Sequence, residues 1–304
     1  MAESKIAVYG AIGANVAIAV TKFIAAGITG SSSMLSEGIH SLVDTGNGGL
    51  LLVGLARSKR PPTREHPYGH GKELYFWSLI VGVLIFGVGG GVSLYEGILH
   101  VRNPPPLEDP MWNYIVLACA AVFESISFSM GWHQFSKERR GRPVVEALRQ
   151  SKDPATFTVI AEDSAALLGL ALAACGVYLS HRLDRPEIDG MASIAIGLLL
   201  AGVAVLLIRE SRGLLVGEGV SPATAREIRE LVLAEPRVRD IGPILSMYIG
   251  AHEVLVTTTV QVDPTLPSGE VAGTIQRIED EVRGRWPVIQ RVYIEVSPPP
   301  AAKP

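Results

Sequence analysis

Two apolar stretches of the sequence contain clusters of ionisable and polar residues. In the first stretch, positions spaced three, four and three residues apart carry Glu37, His40, Asp44 and Asn47. These spacings place all four side chains on one face of a helix. The second stretch carries two adjacent acids, Glu162 and Asp163. An ionised side chain within a bilayer costs at least about 2.5–3.5 kcal/mol on insertion scales, so such residues are functional candidates if the stretches cross a membrane.

The residue types in these clusters indicate a site for a divalent metal ion. His40 and Asp44 are one helical turn apart and can aim a nitrogen and a carboxylate at the same point. Carboxylates that face one another in a low dielectric repel, and a divalent cation or protons relieve that repulsion. One imidazole with two or three carboxylates suits zinc and is tolerated by cobalt, iron or manganese. The alternative is that these groups only join helices through hydrogen bonds.

The elements that must position these residues are predicted to be membrane-spanning helices. The chain has 304 residues, of which 48% are hydrophobic and only 19% are charged. Long apolar runs cover 6–29, 34–56, 73–98, 111–133, 154–181 and 189–209. A helix needs about 20 residues to cross a bilayer, and each run is near or above that length. The sequence therefore predicts an α-helical membrane bundle of six transmembrane helices.

The basic residues are distributed unevenly between the loops that join these runs. The loops at 57–72 and 134–153 hold Arg57, Lys59, Arg60, Arg64, Lys72, Lys137, Arg139, Arg140, Arg142, Arg149 and Lys152. The alternate loops hold only Arg102, Arg182 and Arg185. The positive-inside rule then predicts that both termini are cytoplasmic. The start of the chain has no signal peptide or targeting presequence, which predicts a bacterial inner membrane.

The composition changes near residue 210, which predicts two domains, 1–209 and 210–304. Ser221-Pro222 is typical of a helix start, and 268–284 has helical periodicity. The runs 243–249, 254–262 and 289–296 predict strands. The resulting order, αββαβ, predicts a small ferredoxin-like cytoplasmic domain. Its core is modest at this size, and pairing with a second copy would enlarge it, so a dimerisation domain is expected.

Several other polar residues have more than one interpretation. Lys22 lies toward the outer end of the first helix, where snorkelling to the interface is expected. Glu124 lies mid-helix and is a proton carrier, a partner of Lys22 or a helix-packing acid. In the loop EHPYGHGKE, His66 and His70 form either an accessory metal site or part of a structured turn. His252, the sole histidine of the C-terminal domain, is interpreted as a turn residue.

Three segments of the chain resemble the cation diffusion facilitator family of divalent-metal/proton antiporters. The segments are SSSMLSEGIHSLVDTGN, HPYGHGKE and the α/β tail after the sixth helix. The phrase AEDSAALLG resembles the mitochondrial zinc-transporter branch of that family. The resemblance implies a homodimer without a cofactor that moves divalent metal against protons. It also implies that Thr257 and Tyr293 stand where zinc ligands of the soluble domain would be, so that a regulatory site is not expected.

The resemblance also implies a ligand set for the transported metal. His40 and Asp44 match the family's pair on the second helix, and Asp163 matches the second acid on the fifth, with Gly169 at the usual distance. The first position of that pair is occupied by Val159, which cannot coordinate a metal. The core ligands are thus predicted to be His40, Asp44 and Asp163, with Glu162 or a water completing the set. The loop histidines His66 and His70 match a second metal position of some members.

The function predicted from the sequence is export of a divalent metal ion, zinc first, by alternating access. The chain is not expected to be an enzyme or to bind nucleic acid; its partners are the bilayer, metal ions and protons. A non-transporting metal sensor or partner subunit is the alternative, because Val159 removes one ligand. An intramembrane hydrolase would need H-E-x-x-H or G-x-G-D, and the sequence contains neither. A channel would need a pore loop, which is not evident either.

Overall fold

The computed structural model describes residues 2–106, 109–138 and 154–297. Five of the basic residues that predict the orientation in the membrane, Arg139, Arg140, Arg142, Arg149 and Lys152, lie outside the described residues. The end of the proline-rich tail also lies outside them. The chain divides into two compact units, Met1–Ala56 with Leu74–Arg212 and Arg57–Glu73 with Gly213–Pro304. The predicted boundary was at 209/210; the structure additionally groups the segment Arg57–Glu73, between the second and third predicted spans, with the C-terminal unit.

Up to Val216, the secondary-structure elements of the described residues are helices. The helices are α1 (Ala2–Thr29), α2 (Ser32–Ser58), α3 (Glu73–Leu84), α4 (Gly91–Arg102), α5 (Met111–Glu138), α6 (Pro154–Leu183) and α7 (Glu187–Val216), and a π-helical segment, Ile85–Gly90, joins α3 to α4. Among the described residues, four helical stretches are long and apolar enough to cross a membrane, namely Glu73–Arg102, Met111–His133, Phe157–Leu183 and Glu187–Val216. A shorter apolar stretch, Asn15–Thr29, lies in α1. An integral membrane protein is therefore confirmed.

Close packing between the third span and α7 depends on glycines. A Cβ on Gly82 would lie 2.9 Å from Ile208, and one on Gly90 would lie 3.1 Å from the carbonyl oxygen of Gly197. A larger residue at Gly90 would push the two helices apart, because a backbone carbonyl cannot move aside as a flexible side chain can. At Gly82 the obstacle is the branched side chain of Ile208, whose backbone nitrogen would also lie only 3.3 Å from the added Cβ. Gly87, in the same span, has nothing within 4 Å of its Cβ position and takes no part in this contact.

The C-terminal unit is a four-stranded sheet with two helices. Its elements are α8 (Pro222–Leu233), β1 (Val238–Ile241), β2 (Leu245–Gly250), β3 (Glu253–Val262), α9 (Ser268–Arg285) and β4 (Ile289–Val296). The central strand β3 pairs antiparallel with β1 and β2 and parallel with β4. Alternate residues of β3, at Val254, Val256 and Val260, are buried against Ile228 of α8 and Ile278 of α9. This alternation is the period of a sheet with one covered face.

The predicted order αββαβ was wrong by one strand, because β1 precedes the hairpin. The strand has only four residues, and its burial alternates poorly, with Val238 and Ile241 buried around two exposed charged residues. A short strand of this composition carries no period-two signal. The other elements lie close to their predicted positions, and His252 occupies the turn between β2 and β3, as expected.

Candidate metal centre

The polar face of α2 points into the helical bundle. Glu37, His40, Ser41 and Asn47 are buried, and the side chain of Asp44 is 17% exposed. His40 Nε2 lies 3.4 Å from Asp44 Oδ2, as the four-residue spacing predicts. Neither His40 Nε2 nor Asp44 Oδ1 has a hydrogen-bond partner within the described residues. Burying a polar atom without a hydrogen-bond partner is unfavourable for the free energy of folding, unless a further group or ion interacts with that atom.

A cavity of about 150 Å³ separates α2 from α5 and α6. Four carboxyl side chains line it, contributed by Asp44, Glu124, Glu162 and Asp163. Val159, one turn before Asp163 on α6, forms an apolar part of the same wall. A space of this volume is large enough for a cation together with waters. The structure thus brings three predicted ligands, Asp44, Glu162 and Asp163, to one cavity.

Hydrogen bonds hold two of these carboxyl groups. Glu162 Oε1 accepts from Asn47 Nδ2 at 2.8 Å, which links α6 to α2. Asp163 Oδ2 accepts from Ser127 Oγ at 3.0 Å, which links α6 to α5. The bond to Asn47 shows that the polar face of α2 serves partly to join helices, which was the alternative to metal binding.

His40 is the predicted ligand that does not line the cavity. Its imidazole lies beside Asp44, whose side chain faces the cavity. Among the described residues, no three His, Cys, Asp or Glu side chains are arranged closely enough to hold a metal ion. Metal binding by this set therefore requires the α2 pair and the α6 acids to approach one another across the cavity.

Lys22 does not snorkel to the membrane interface, and that expectation was wrong. Its Nζ lies 2.9 Å from Glu37 Oε2 and donates to Ser41 Oγ at 2.8 Å, and both charged side chains are 0% exposed. Glu37 in turn packs against Gly169 of α6, where a Cβ would overlap Glu37 Oε1. Lys22 precedes the turn glycine Gly30 by eight residues and Glu37 follows it by seven. This near symmetry about a turn was the sequence signal that could have revealed the pair.

Glu124 lines the cavity, and its interpretation as a hydrogen-bond partner of Lys22 gains no support from the described residues. Lys22 contacts Glu37 and Ser41 instead. On α5, the buried residues Leu117 and Ala120 precede Glu124 at spacings of seven and four, which places Glu124 on the bundle-facing stripe. The sequence alone could not place it, because its partners lie on other helices.

A second polar cluster holds the N-terminus of α2. The carboxylate of Asp189, on α7, accepts from the backbone N–H of Ser32 at 2.6 Å and of Ser33 at 3.3 Å, and from Ser31 Oγ at 3.0 Å. His100 Nε2 lies 3.7 Å from the same carboxylate. An anion at a helix N-terminus satisfies its free N–H groups and interacts favourably with its dipole. Asp189, which was not singled out from the sequence, thus fixes the start of the helix that carries His40.

The loop histidines lie together within the C-terminal unit. The rings of His66 and His70 have centroids 4.6 Å apart. The same loop contacts other parts of its unit through Lys72, whose Nζ donates to the carbonyl of Leu215 at 3.3 Å, and through Tyr68, whose ring lies 5.2 Å from the guanidinium of Arg291. A structured turn is therefore present, and the accessory metal site at these two imidazoles stays a prediction.

A helical membrane bundle with a carboxylate-lined cavity, followed by a small α/β domain, defines the class of integral membrane cation transporters. Residues 8–216 match the family description "cation efflux transmembrane domain". The chain therefore belongs to the cation efflux family, whose members are transporters and not enzymes.

Relatives within this family carry names for different metals. The chain is 36% identical over 244 residues to the mitochondrial proton-coupled zinc antiporter SLC30A9 of Xenopus laevis, covering 80% of this chain and 44% of that protein. It is 29% identical over 250 residues to metal tolerance protein C4 of Arabidopsis thaliana, covering 82% and 55%. It is 25% identical over 280 residues to the manganese efflux system protein MneP of Bacillus subtilis, covering 90% and 89%. The chain thus spans less than half the length of its SLC30A9 relative.

Proposed function

We propose that the protein is a secondary transporter that exports a divalent metal ion, zinc first, from the cytoplasm in exchange for protons. The observation that carries this proposal is the cavity inside the membrane bundle with Asp44, Glu162 and Asp163 on its walls. The proposed ligands are His40, Asp44 and Asp163, with Glu162 as a further carboxylate that Asn47 holds on the wall. The names of the zinc and manganese relatives support a divalent metal substrate.

Zinc is preferred because the set includes an imidazole. Oxygen donors alone would favour manganese or magnesium, whereas a buried nitrogen donor beside carboxylates suits zinc. His40 supplies that nitrogen, and the absence of a hydrogen-bond partner at its Nε2 among the described residues leaves the atom available.

Protons are the proposed counter-ion because they compete with the metal for the same atoms. Each ligand must be deprotonated to bind metal, so metal binding releases protons and proton binding releases metal. In alternating access, the α2 pair and the α6 acids close around the ion from the cytoplasmic side. The bundle then opens on the far side, where protons displace the metal.

Six spans with both termini cytoplasmic are proposed for the membrane arrangement. The exposed face of α1 supports this, because Val16, Val20, Ile24 and Ile28 recur at helical spacing on its surface. An apolar stripe of this kind fits contact with lipid rather than water. The identity of the membrane stays a prediction, as the SLC30A9 relatives are named mitochondrial while a bacterial inner membrane was expected.

Zinc flux into proteoliposomes tests the proposed function. The purified full chain should accumulate zinc, and an opposing proton gradient should increase the initial rate several-fold. A matched preparation carrying Asp44→Asn controls for leakage. Zinc binding without flux under any gradient would instead support the alternative, a sensor or partner subunit.

A homodimer joined through the C-terminal unit is also proposed. The exposed apolar side chains Leu245, Tyr293 and Val296 on this small domain support the proposal, because pairing with a second copy would cover them. Mass measurement of the purified chain in detergent should show two copies. A monomer with full zinc flux would contradict it.

Removal of both loop histidines should weaken transport without abolishing it. His66→Ala combined with His70→Ala removes two adjacent donors that lie outside the membrane bundle, so capture of the ion is affected more than translocation. The apparent KM for zinc should rise about three- to tenfold while the maximal rate changes less than twofold. Complete loss of flux from a folded double variant would show that the main site is elsewhere.

A further inference from the structure

The three core ligands proposed above, His40, Asp44 and Asp163, are one fewer than the four that zinc prefers. On α6, the residue one turn before Asp163 is Val159, which lines the cavity and is 38% exposed. Its side chain has no donor atom, so the wall of the cavity is apolar at that point. We propose that Glu124, on α5, supplies the missing fourth ligand; this rests on the proposed function of the same cavity.

The position of Glu124 on its helix supports this role. Much of α5 is exposed, as expected for contact with lipid, and Val122, Phe123 and Ile126 belong to that surface. Glu124 instead lies on the stripe continued from Leu117 and Ala120 and lines the cavity. An acidic residue without a function inside the membrane would be expected near a helix end, where its carboxylate could reach water.

The contacts between α5 and α6 place Glu124 near Asp163. Ser127 is one helical turn from Glu124 and donates to Asp163 Oδ2 at 3.0 Å. The two helices remain close toward Gly131, where a Cβ would lie 3.6 Å from Val159 Cγ1. The gap left by Val159 therefore faces α5, and Glu124 is the α5 carboxylate on the cavity wall.

The neighbouring acid is less suited to complete the set. Glu162 Oε1 is already engaged by Asn47 Nδ2 at 2.8 Å, so full use of this carboxylate would break a bond between α2 and α6. A second observation comes from His40, whose imidazole lies beside the cavity-lining Asp44. Its side chain is 3% exposed, and its Nε2 points at Asp44 without a hydrogen-bond partner in the described part of the chain.

Zinc calorimetry on the purified full chain tests the proposal. Glu124→Gln should weaken zinc binding at least tenfold, and Glu162→Gln should weaken it less. Glu96→Gln is the matched control: it is another half-buried acid of a membrane span that does not line the cavity, and affinity should stay within twofold. Adding Val159→Asp to Glu124→Gln should recover most of the lost affinity, because the new carboxylate occupies the vacant ligand position.

The rescue separates a ligand from a packing residue. If Glu124→Gln binds zinc within twofold of the unaltered chain, or if Val159→Asp restores nothing, Glu124 is not a ligand. Should Glu124→Gln not fold, Glu124→Asp loaded with cobalt replaces it. A changed visible spectrum would support coordination, and an unchanged one would overturn it. If Asp163→Asn instead retains zinc binding, the transport site assigned under the proposed function is wrong, independently of the result for Glu124.

Discussion

Asp163→Asn and Asp44→Asn should each reduce zinc affinity at least a hundredfold and abolish zinc flux. Both carboxylates line the cavity, from α6 and α2 respectively. An amide keeps the shape and the hydrogen-bonding ability of the side chain but removes the negative charge that stabilises a divalent cation in a low dielectric. Calorimetry on the purified variants measures the affinity, and proteoliposome uptake measures the flux.

The amide substitutions should leave the fold intact, which provides the control. Asp163 accepts a hydrogen bond from Ser127, and the oxygen of an asparagine can still accept it. Thermal unfolding of Asp163→Asn without metal should therefore match that of the unaltered chain. Unchanged zinc affinity in Asp163→Asn would contradict both the site and the family alignment that suggested it.

Glu37→Gln should destabilise the protein by about 3 to 5 kcal/mol, because it leaves Lys22 charged, buried and unpaired. The two side chains are 0% exposed and their charged atoms are 2.9 Å apart, so water cannot replace the lost partner. The loss should appear as a lower midpoint of unfolding in detergent, measured without metal to exclude effects on zinc binding.

Removing both charges together should destabilise the protein far less than Glu37→Gln alone. Lys22→Met combined with Glu37→Gln eliminates the unpaired charge, and replacement of a buried ion pair by neutral groups is often nearly neutral for stability. The double variant should recover most of the midpoint lost in Glu37→Gln. Equal destabilisation of the single and double variants would contradict this account, because the loss would then not come from an unpaired buried charge; the glutamine introduced by Glu37→Gln keeps the shape that packs against Gly169 in both variants.

The sequence predicted best what depends on local periodicity. Long apolar runs identified the four helices of the described residues that are long and apolar enough to cross a membrane, and β-branched alternation identified β3 and β4; the six-span arrangement stays a prediction. It was less informative where a residue's environment comes from another helix. Lys22 was interpreted only from its position in the first helix, so the sequence predicted snorkelling instead of an ion pair with Glu37. Glu124 and Asp189 likewise acquire their roles from partners on other helices, which no periodicity within α5 or α7 reveals.

The pair between Lys22 and Glu37 also constrains how the chain enters the bilayer during synthesis. Inserted singly, α1 would carry an unpaired ammonium and α2 an unpaired carboxylate, and an unpaired charge is unfavourable in lipid. Only Gly30, with φ +63°, and Ser31 separate the two helices, so they can fold back directly on each other. Entry as a preassembled helical hairpin would neutralise both charges before either meets lipid, so we expect α1–α2 to integrate into the membrane as one unit.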